Sequence, residues 1–295
     1  MTTNQEAGDA DEANVLKRLR STFDEVLVYE TSFSIHFPFL EKVVDVDVGS
    51  QVLDACVTHN FVTILTKEHL YIAHKDELDV PLRCVCQKGV TPSLEFESAE
   101  WISVKSTSRL TIISDRWWMR RKPPSDIILT STISTVYLVY TVDGVSTVVR
   151  LFNEIAYLES GTVKSSVVQI AEDCKIVAAA SGNDHSLFLT DAGAVFALGT
   201  GSRGELGIGL VPRICEMTWL EALEGLKVVD IVAAGWHSGA LTDDGDVYLW
   251  GWNHRGQLGD EKESVEYYPS PLEIDIRIVR IEMRDHLTAL WTAEG

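Results

Sequence analysis

Hydrophobic residues in this chain come in short runs separated by turn-forming residues, a pattern that predicts strands rather than helices. Residues 227–234 (KVVDIVAA) make one run and residues 237–242 a second. Asp243-Asp244-Gly245 then breaks the pattern. Glycine there supplies the positive φ that a short bulged hairpin needs, and residues 246–250 (DVYLW) read as the returning strand. The plan also stands 52 residues earlier: residues 177–207 align without a gap on residues 229–259. Identities fall at Val177, His185, Ser186, Leu189, Thr190, Asp191, Gly193, Val195, Gly199, Arg203, Gly204, Leu206 and Gly207. A fixed period of this kind marks blades or a solenoid, and a residue kept in each copy is tied to holding the unit together.

Fainter copies extend both ways. Residues 65–72 (LTKEHLYI) and 140–145 (YTVDGV) carry turn and strand signals, residues 113–117 offer another candidate, and residues 286–295 (HLTALWTAEG) match the first half of a unit. Residues 25–29 (EVLVY) have the pattern of the returning strand 246–250, so they are expected to complete the C-terminal half-unit and close a ring without open edges. Turns near 24, 68, 115, 144, 193, 245 and 295 are spaced 44, 47, 29, 49, 52 and 50 residues apart. The expected fold is therefore all-β, a β-propeller of about six blades, with the 115–144 unit contracted or misread. Residues 1–20 are read as an acidic, disordered lead and residues 21–295 as a single propeller domain.

Composition narrows the function classes. Of 295 residues 45% are apolar and 23% charged, ordinary globular usage with enough apolar content for a sizeable core. The formal net charge of −19 repels phosphate backbones, so direct nucleic-acid binding is not expected and basic partners are favoured. Five cysteines without disulfide or CxxC spacing fit a reducing compartment, and Cys84-Val85-Cys86 lacks the further ligands a zinc site requires. Residues 127–142 are uncharged but rich in Ser, Thr and β-branched residues, which fits paired strands and not a membrane helix.

His237-Ser238, Leu241-Thr242, Gly245, Val247-Tyr248, Trp250-Gly251 and Gly256-Gln257-Leu258-Gly259 resemble the repeat of the regulator of chromosome condensation propellers. Kelch blades carry a Gly-Gly pair and WD blades a Trp-Asp ending, both missing from this sequence. The match is specific over residues 176–259, fair to 295 and faint before 149. Residues 223–259 are most similar to small members of that family, one of which partners a Jumonji-type oxygenase at chromatin. The resemblance implies a propeller, usually of about seven blades, and the chain is shorter after Gly259, as if a blade were lost.

Several motifs invite chemistry. Residues 199–204 spell GxGxxG, but the aligned residues 251–256 lack the middle glycine and no helix signal follows, so no dinucleotide cofactor is expected. Recurrence of His185 and His237, with His59 and His286 as echoes, argues for structural hydrogen bonding and not catalysis. The repeat residues read as structural are His185, Gly193, Gly199, Gly204, Gly207, His237, Gly245, Gly251, Gly256 and Gly259. Specificity is expected where the copies differ: Thr200, Gly201, Ser202 and Glu205 against Trp252, Asn253, His254 and Gln257, and Asp184 against Trp236. Trp236, Trp252, His254 and Arg255 are the candidate partner-binding residues. The basic, aromatic stretch around Trp118, Arg120 and Arg121 is a second binding candidate, suited to an acidic partner.

The sequence thus points to a non-catalytic protein-interaction scaffold with no metal. The resemblance implies a Jumonji-type oxygenase or histone-associated complex as partner, a nuclear or nucleocytoplasmic location, and a monomer apart from that partner. Guanine nucleotide exchange on a Ran-type GTPase is the alternative that the same resemblance carries. A propeller hydrolase would need carboxylates or metal ligands converging on a channel, and no spacing demands them.

Overall fold

The computed structural model describes residues 15–20, 25–37, 42–66, 70–75, 101–102, 110–112, 125–155, 163–170 and 173–293. The chain, read from sequence as one domain over 21–295, groups into two compact units: residues 1–121 with 152–165, and residues 122–151 with 166–295. Among the described residues, helix is confined to single turns such as Glu221–Leu223, and no helix is long and apolar enough to cross a membrane.

The first unit holds two four-stranded antiparallel sheets. Lys17–Arg20 (β1), Glu25–Val28 (β2), Ser32–Phe37 (β3) and Lys42–Asp47 (β4) pair in chain order. Val52–Val57 (β5), Phe61–Thr66 (β6) and Leu70–His74 (β7) follow. After the two-residue strand Trp101–Ile102 (β8), Leu110–Ile112 (β9) completes this second sheet on the outer edge of β7.

The second unit repeats the arrangement. Ser125–Ser131 (β10), Thr135–Val142 (β11) and Val145–Asn153 (β12) are joined by Ser166–Val168 (β14), while Val163–Lys164 (β13) belongs to the first unit, where it pairs with β8. Ile176–Ser181 (β15), His185–Thr190 (β16), Val195–Gly201 (β17) and Val211–Trp219 (β18) form the next sheet. Val228–Ala234 (β19), His237–Thr242 (β20), Val247–Trp252 (β21) and Val265–Pro271 (β22) form another. Ile278–Arg284 (β23) and Leu287–Thr292 (β24) end the described chain as a hairpin.

The second strands β16 and β20 are covered on both faces of their sheets, so they are buried at every position instead of alternating. Leu187 and Leu189 pack with Val228, Ile231, Ala240 and Trp250 of the following sheet. Phe188 turns the other way, against Tyr137, Val139 and Val148. Small residues line the first strands, Ala178–Ala180 in β15 and Ala233–Ala234 in β19, and these two strands lie beside each other.

One repeated feature was hidden in the sequence. The first strand carries a one-residue bulge between Val52 and Asp54, Ser125 and Ile127, Ile176 and Ala178, Val228 and Asp230, and Ile278 and Arg280. The extra residues Leu53, Val177, Val229 and Val279 are each close to half exposed. The identity of Val177 with Val229 therefore marks a bulge and not a core position.

Among the described residues the six-blade expectation meets five four-stranded sheets and the C-terminal hairpin, but two of its N-terminal assignments are corrected. Glu25–Val28 is hydrogen-bonded to β1 on one edge and β3 on the other, so it has no edge left to complete β23–β24. Its five-residue pattern fits a second strand as well as a third, and the charged Lys17–Arg20, assigned to the lead, hid the strand before it. Leu110–Ile112 is the fourth strand of the second sheet, and in the following sheet the turn between the second and third strands is Asp143-Gly144, with φ of 52° and 88°. The positions near 24, 68, 115 and 295, Cys84, Cys86, Trp118, Arg120, Arg121 and residues 1–14 lie outside the described residues.

Gly251 sits at φ +102°, and a Cβ there would lie 2.5 Å from the Trp236 carbonyl oxygen. Gly225 also has positive φ, +80°, but nothing within 4 Å. Gly251→Ala is expected to destabilise the protein by about 3 kcal/mol or more and Gly225→Ala by about 1 kcal/mol, measured by urea unfolding.

Candidate functional site

Antiparallel pairing brings two loops of each sheet to the same end: the turn between its first and second strands and the connection leaving its third. Backbone hydrogen bonds lock these together, Thr200 N–H to the Asp184 carbonyl (2.9 Å) and Trp252 N–H to the Trp236 carbonyl (2.8 Å). Gly199 and Gly251 make that approach possible, since a Cβ at either would meet the accepting carbonyl.

On this scaffold the loops assemble an aromatic and cationic cluster. The rings of Trp236 and Trp252 meet edge to face, centroids 5.5 Å apart at 80°. His254 stacks on Trp252 at 5.2 Å and 6°, and His286 approaches its other side at 6.2 Å and 73°. The Arg203 guanidinium lies 4.3 Å from the Trp236 centroid and 5.7 Å from that of Trp252. Asp184 Oδ2 accepts the Trp236 Nε1–H at 3.0 Å. Trp236, Trp252, Arg203, Asp184 and His286 are half-buried; His254 is exposed.

A buried polar layer supports the cluster. His185 Nε2 and Ser238 Oγ are 2.7 Å apart, and Ser238 Oγ donates to the Glu205 carbonyl, which also accepts the Trp250 indole N–H at 3.0 Å. Glu205 Oε2 accepts the Arg203 backbone N–H at 2.6 Å. One repeat later Gln257 Oε1 accepts from Arg255 N–H, and the Gln257 carbonyl accepts from Thr288 Oγ1. Burial lowers the His185 pKa to about 3 and, with His286 nearby, that of His237 to about 4. Burial raises the Glu205 carboxyl above its ordinary value.

Three sequence candidates, Trp236, Trp252 and His254, meet here. Arg255 is exposed, and the arginine against both indoles is its match one repeat earlier, Arg203, which was not among the sequence candidates. Thr200 and Ser202 remain accessible at the loop. Glu205, Gln257, Asn253 and Gly201, expected to carry specificity, are instead buried; Asn253 donates to the Gly259 and Lys262 carbonyls. The copies differ there because either an acid or an amide can accept the loop N–H.

The histidine echoes are corrected by register. His185 and His237 face Gly199 and Gly251, a position that Phe61 and Leu287 hold at the start of the second strand in two other sheets. His286 thus occupies the place of Trp236, and His59 lies two residues before Phe61. The glycines of residues 199–204 are filled by protein: Asp184 O stands 2.4 Å from a Cβ at Gly199 and Glu266 O 2.7 Å from one at Gly204. Gly193 and Gly245 serve the turns, each N–H bonded at 3.0 Å to the preceding Thr190 or Thr242 carbonyl. Gly207 and Gly256 close their loops by bonds to Gly204 and Asn253, and the Gly256 carbonyl accepts from Gly259. Among the described residues no three His, Cys, Asp or Glu gather as a metal site.

Repeated antiparallel blades with their loops at one end define a β-propeller, and the comparisons name the type of repeat. Residues 228–257 and 244–290 match models of the Regulator of chromosome condensation (RCC1) repeat. The matched residues, 228–290, lie in the second unit. RCC1 domain-containing protein 1 of Mus musculus is 48% identical over 77 residues, 26% of this chain and 20% of that protein. The match thus spans a fifth of the relative's length. Among solved structures, that of Kap60 bound to yeast RCC1 (Prp20) aligns with TM-score 0.64 and 14% identity over 94% of this chain and 65% of its counterpart. Prp20p from Saccharomyces cerevisiae, solved in a study of its binding to Gsp1p and histones, aligns with TM-score 0.53 and 14% identity over 95% and 82%. These likenesses establish the propeller fold.

The buried titratable groups set opposing pH trends. His185 and His237 have folded pKa values below the ordinary 6.5, so their contribution is complete above pH 6.5 and is lost as pH falls toward about 4 and 3. Glu205 has a raised pKa, so its contribution is complete below the ordinary 4.5 and is lost as pH rises through the folded value. Glu205→Gln, copying Gln257, is expected to melt higher than the parent at pH 8 by a few degrees, with the gap closing toward pH 4.5 in thermal scans.

Proposed function

We propose that the chain is a non-catalytic protein-interaction scaffold whose docking face is the Trp236–Trp252–Arg203 cluster. The observation that carries this reading is the half-buried pair of indoles with a stacked guanidinium, on loops fixed by strand hydrogen bonds. Tryptophan and arginine dominate binding hot spots, and loops already ordered lose little entropy when a partner arrives. Burial of His185 and His237 supports a structural role for the repeated histidines.

For the partner, the reading is a Jumonji-type oxygenase in a chromatin-associated complex, at a nuclear or nucleocytoplasmic location. It is supported by the resemblance of residues 223–259 and by the 48% identity to RCC1 domain-containing protein 1. The binding to histones named for Prp20p is consistent with a chromatin setting.

Affinity purification of the full chain followed by mass spectrometry is expected to recover a Jumonji-type oxygenase. Trp236→Ala and Trp252→Ala should each weaken that capture by about 2 kcal/mol, roughly thirtyfold. Accelerated nucleotide release from a Ran-type GTPase by the purified chain would replace the scaffold reading with exchange activity.

A further inference from the structure

We infer that Arg203 is a preorganised anchor for a carboxylate, and that the partner meeting this face presents a short acidic segment. The inference rests on the scaffold reading and adds the chemistry of what docks.

Arg203 is held by its planar faces and not by its donors. Its guanidinium carbon lies 4.3 Å from the Trp236 centroid and 5.7 Å from that of Trp252, and a guanidinium that stacks on aromatic faces keeps its N–H edge for hydrogen bonds. Of the two neighbouring carboxylates, Asp184 Oδ2 accepts the Trp236 indole N–H and Glu205 Oε2 accepts the Arg203 backbone N–H, while the Arg203 charge acts on the buried Glu205 carboxyl through space. None of the ion pairs among the described residues involves the Arg203 side chain. A half-buried guanidinium with a fixed plane and unclaimed donors is matched by an oxyanion that accepts two parallel N–H bonds. The rotamer entropy such a fork ordinarily loses on binding is already spent in the stacked state.

The surroundings favour a carboxylate over other anions. His254 and Arg255 are exposed on the adjoining connection, and His286 borders Trp252, so further donors flank the anchor. A single stacked guanidinium suits the single charge of Asp or Glu better than the doubly charged phosphate of a phosphopeptide. The chain's net charge of −19 opposes a long polyanion over its whole length, whereas a short segment meets mainly charges within roughly 8 Å.

The test uses the full chain and fluorescein-labelled short peptides in fluorescence anisotropy: glutamate alternating with glycine, phosphoserine in the same spacing, lysine in the same spacing, and a single-stranded oligonucleotide. The glutamate peptide is expected to bind tightest. Arg203→Lys, which keeps the charge but loses the planar fork, is expected to weaken it about tenfold or more without lowering the melting temperature. If Arg203→Lys does melt early, Trp236→Phe, which loosens the seat and keeps the arginine, should weaken the glutamate peptide instead. Tighter binding of the lysine peptide, the phosphopeptide or the oligonucleotide, no binding at all, or unchanged affinity in both variants overturns the proposal. Capture of a cellular partner that is unaffected by Arg203→Lys would overturn the anchor while leaving the scaffold reading in place.

Discussion

The backbone bond from Trp252 to Trp236, with Gly251 beneath it, is the constraint from which the site follows. It joins the third strand of a sheet to the turn between the first two, so both loops leave the sheet at a fixed separation. The same bond joins Thr200 to Asp184 one repeat earlier. Because it belongs to the backbone, it leaves the side chains free to diverge. One copy carries aspartate and threonine where the next carries two tryptophans, and the cluster arises from that divergence on an unchanged frame.

Contacts between adjacent sheets turn this frame into a surface. Arg203 belongs to one sheet and stacks on Trp236 and Trp252 of the next, while Asp184 bonds the Trp236 indole across the same boundary. Beneath them the Glu205 carbonyl receives Ser238 and Trp250, again from the following sheet. This boundary is thus sealed by apolar packing below and by hydrogen bonds to one loop carbonyl above, and Thr288 bonds the Gln257 carbonyl in the same way one repeat later. Rigidity of the exposed cluster comes from this second layer.

The repeat, the inner strands of its two clear copies and three side chains that meet in the cluster were legible, because each depends on local spacing or on comparison of the copies, whereas the fourth strands Val211–Trp219 and Val265–Pro271 carry no such repeat. The sequence misjudged features set by neighbours in space. Glu205 and Gln257 differ between copies and looked free to specify, yet both are buried acceptors for a loop N–H. Arg203 and Arg255 hold matching positions, and the sequence singled out Arg255, whereas it is Arg203 that has Trp236 and Trp252 beside it. His286 was aligned by residue type with His237, whereas register places it with Trp236. The N-terminal strands were misplaced because a short alternating run cannot reveal its order in a sheet. The bulges were invisible, since an exposed valine within an apolar run reads like any core valine.

Those bulges change how the apolar content is to be interpreted. Leu53, Val177, Val229 and Val279 stand turned toward water in first strands that otherwise look like core. Their β-branched or apolar character answers to backbone geometry more than to solvent exclusion. Threonine keeps most of that geometry, so these four sites are places where evolutionary drift or an engineer can exchange grease for polarity without opening a cavity.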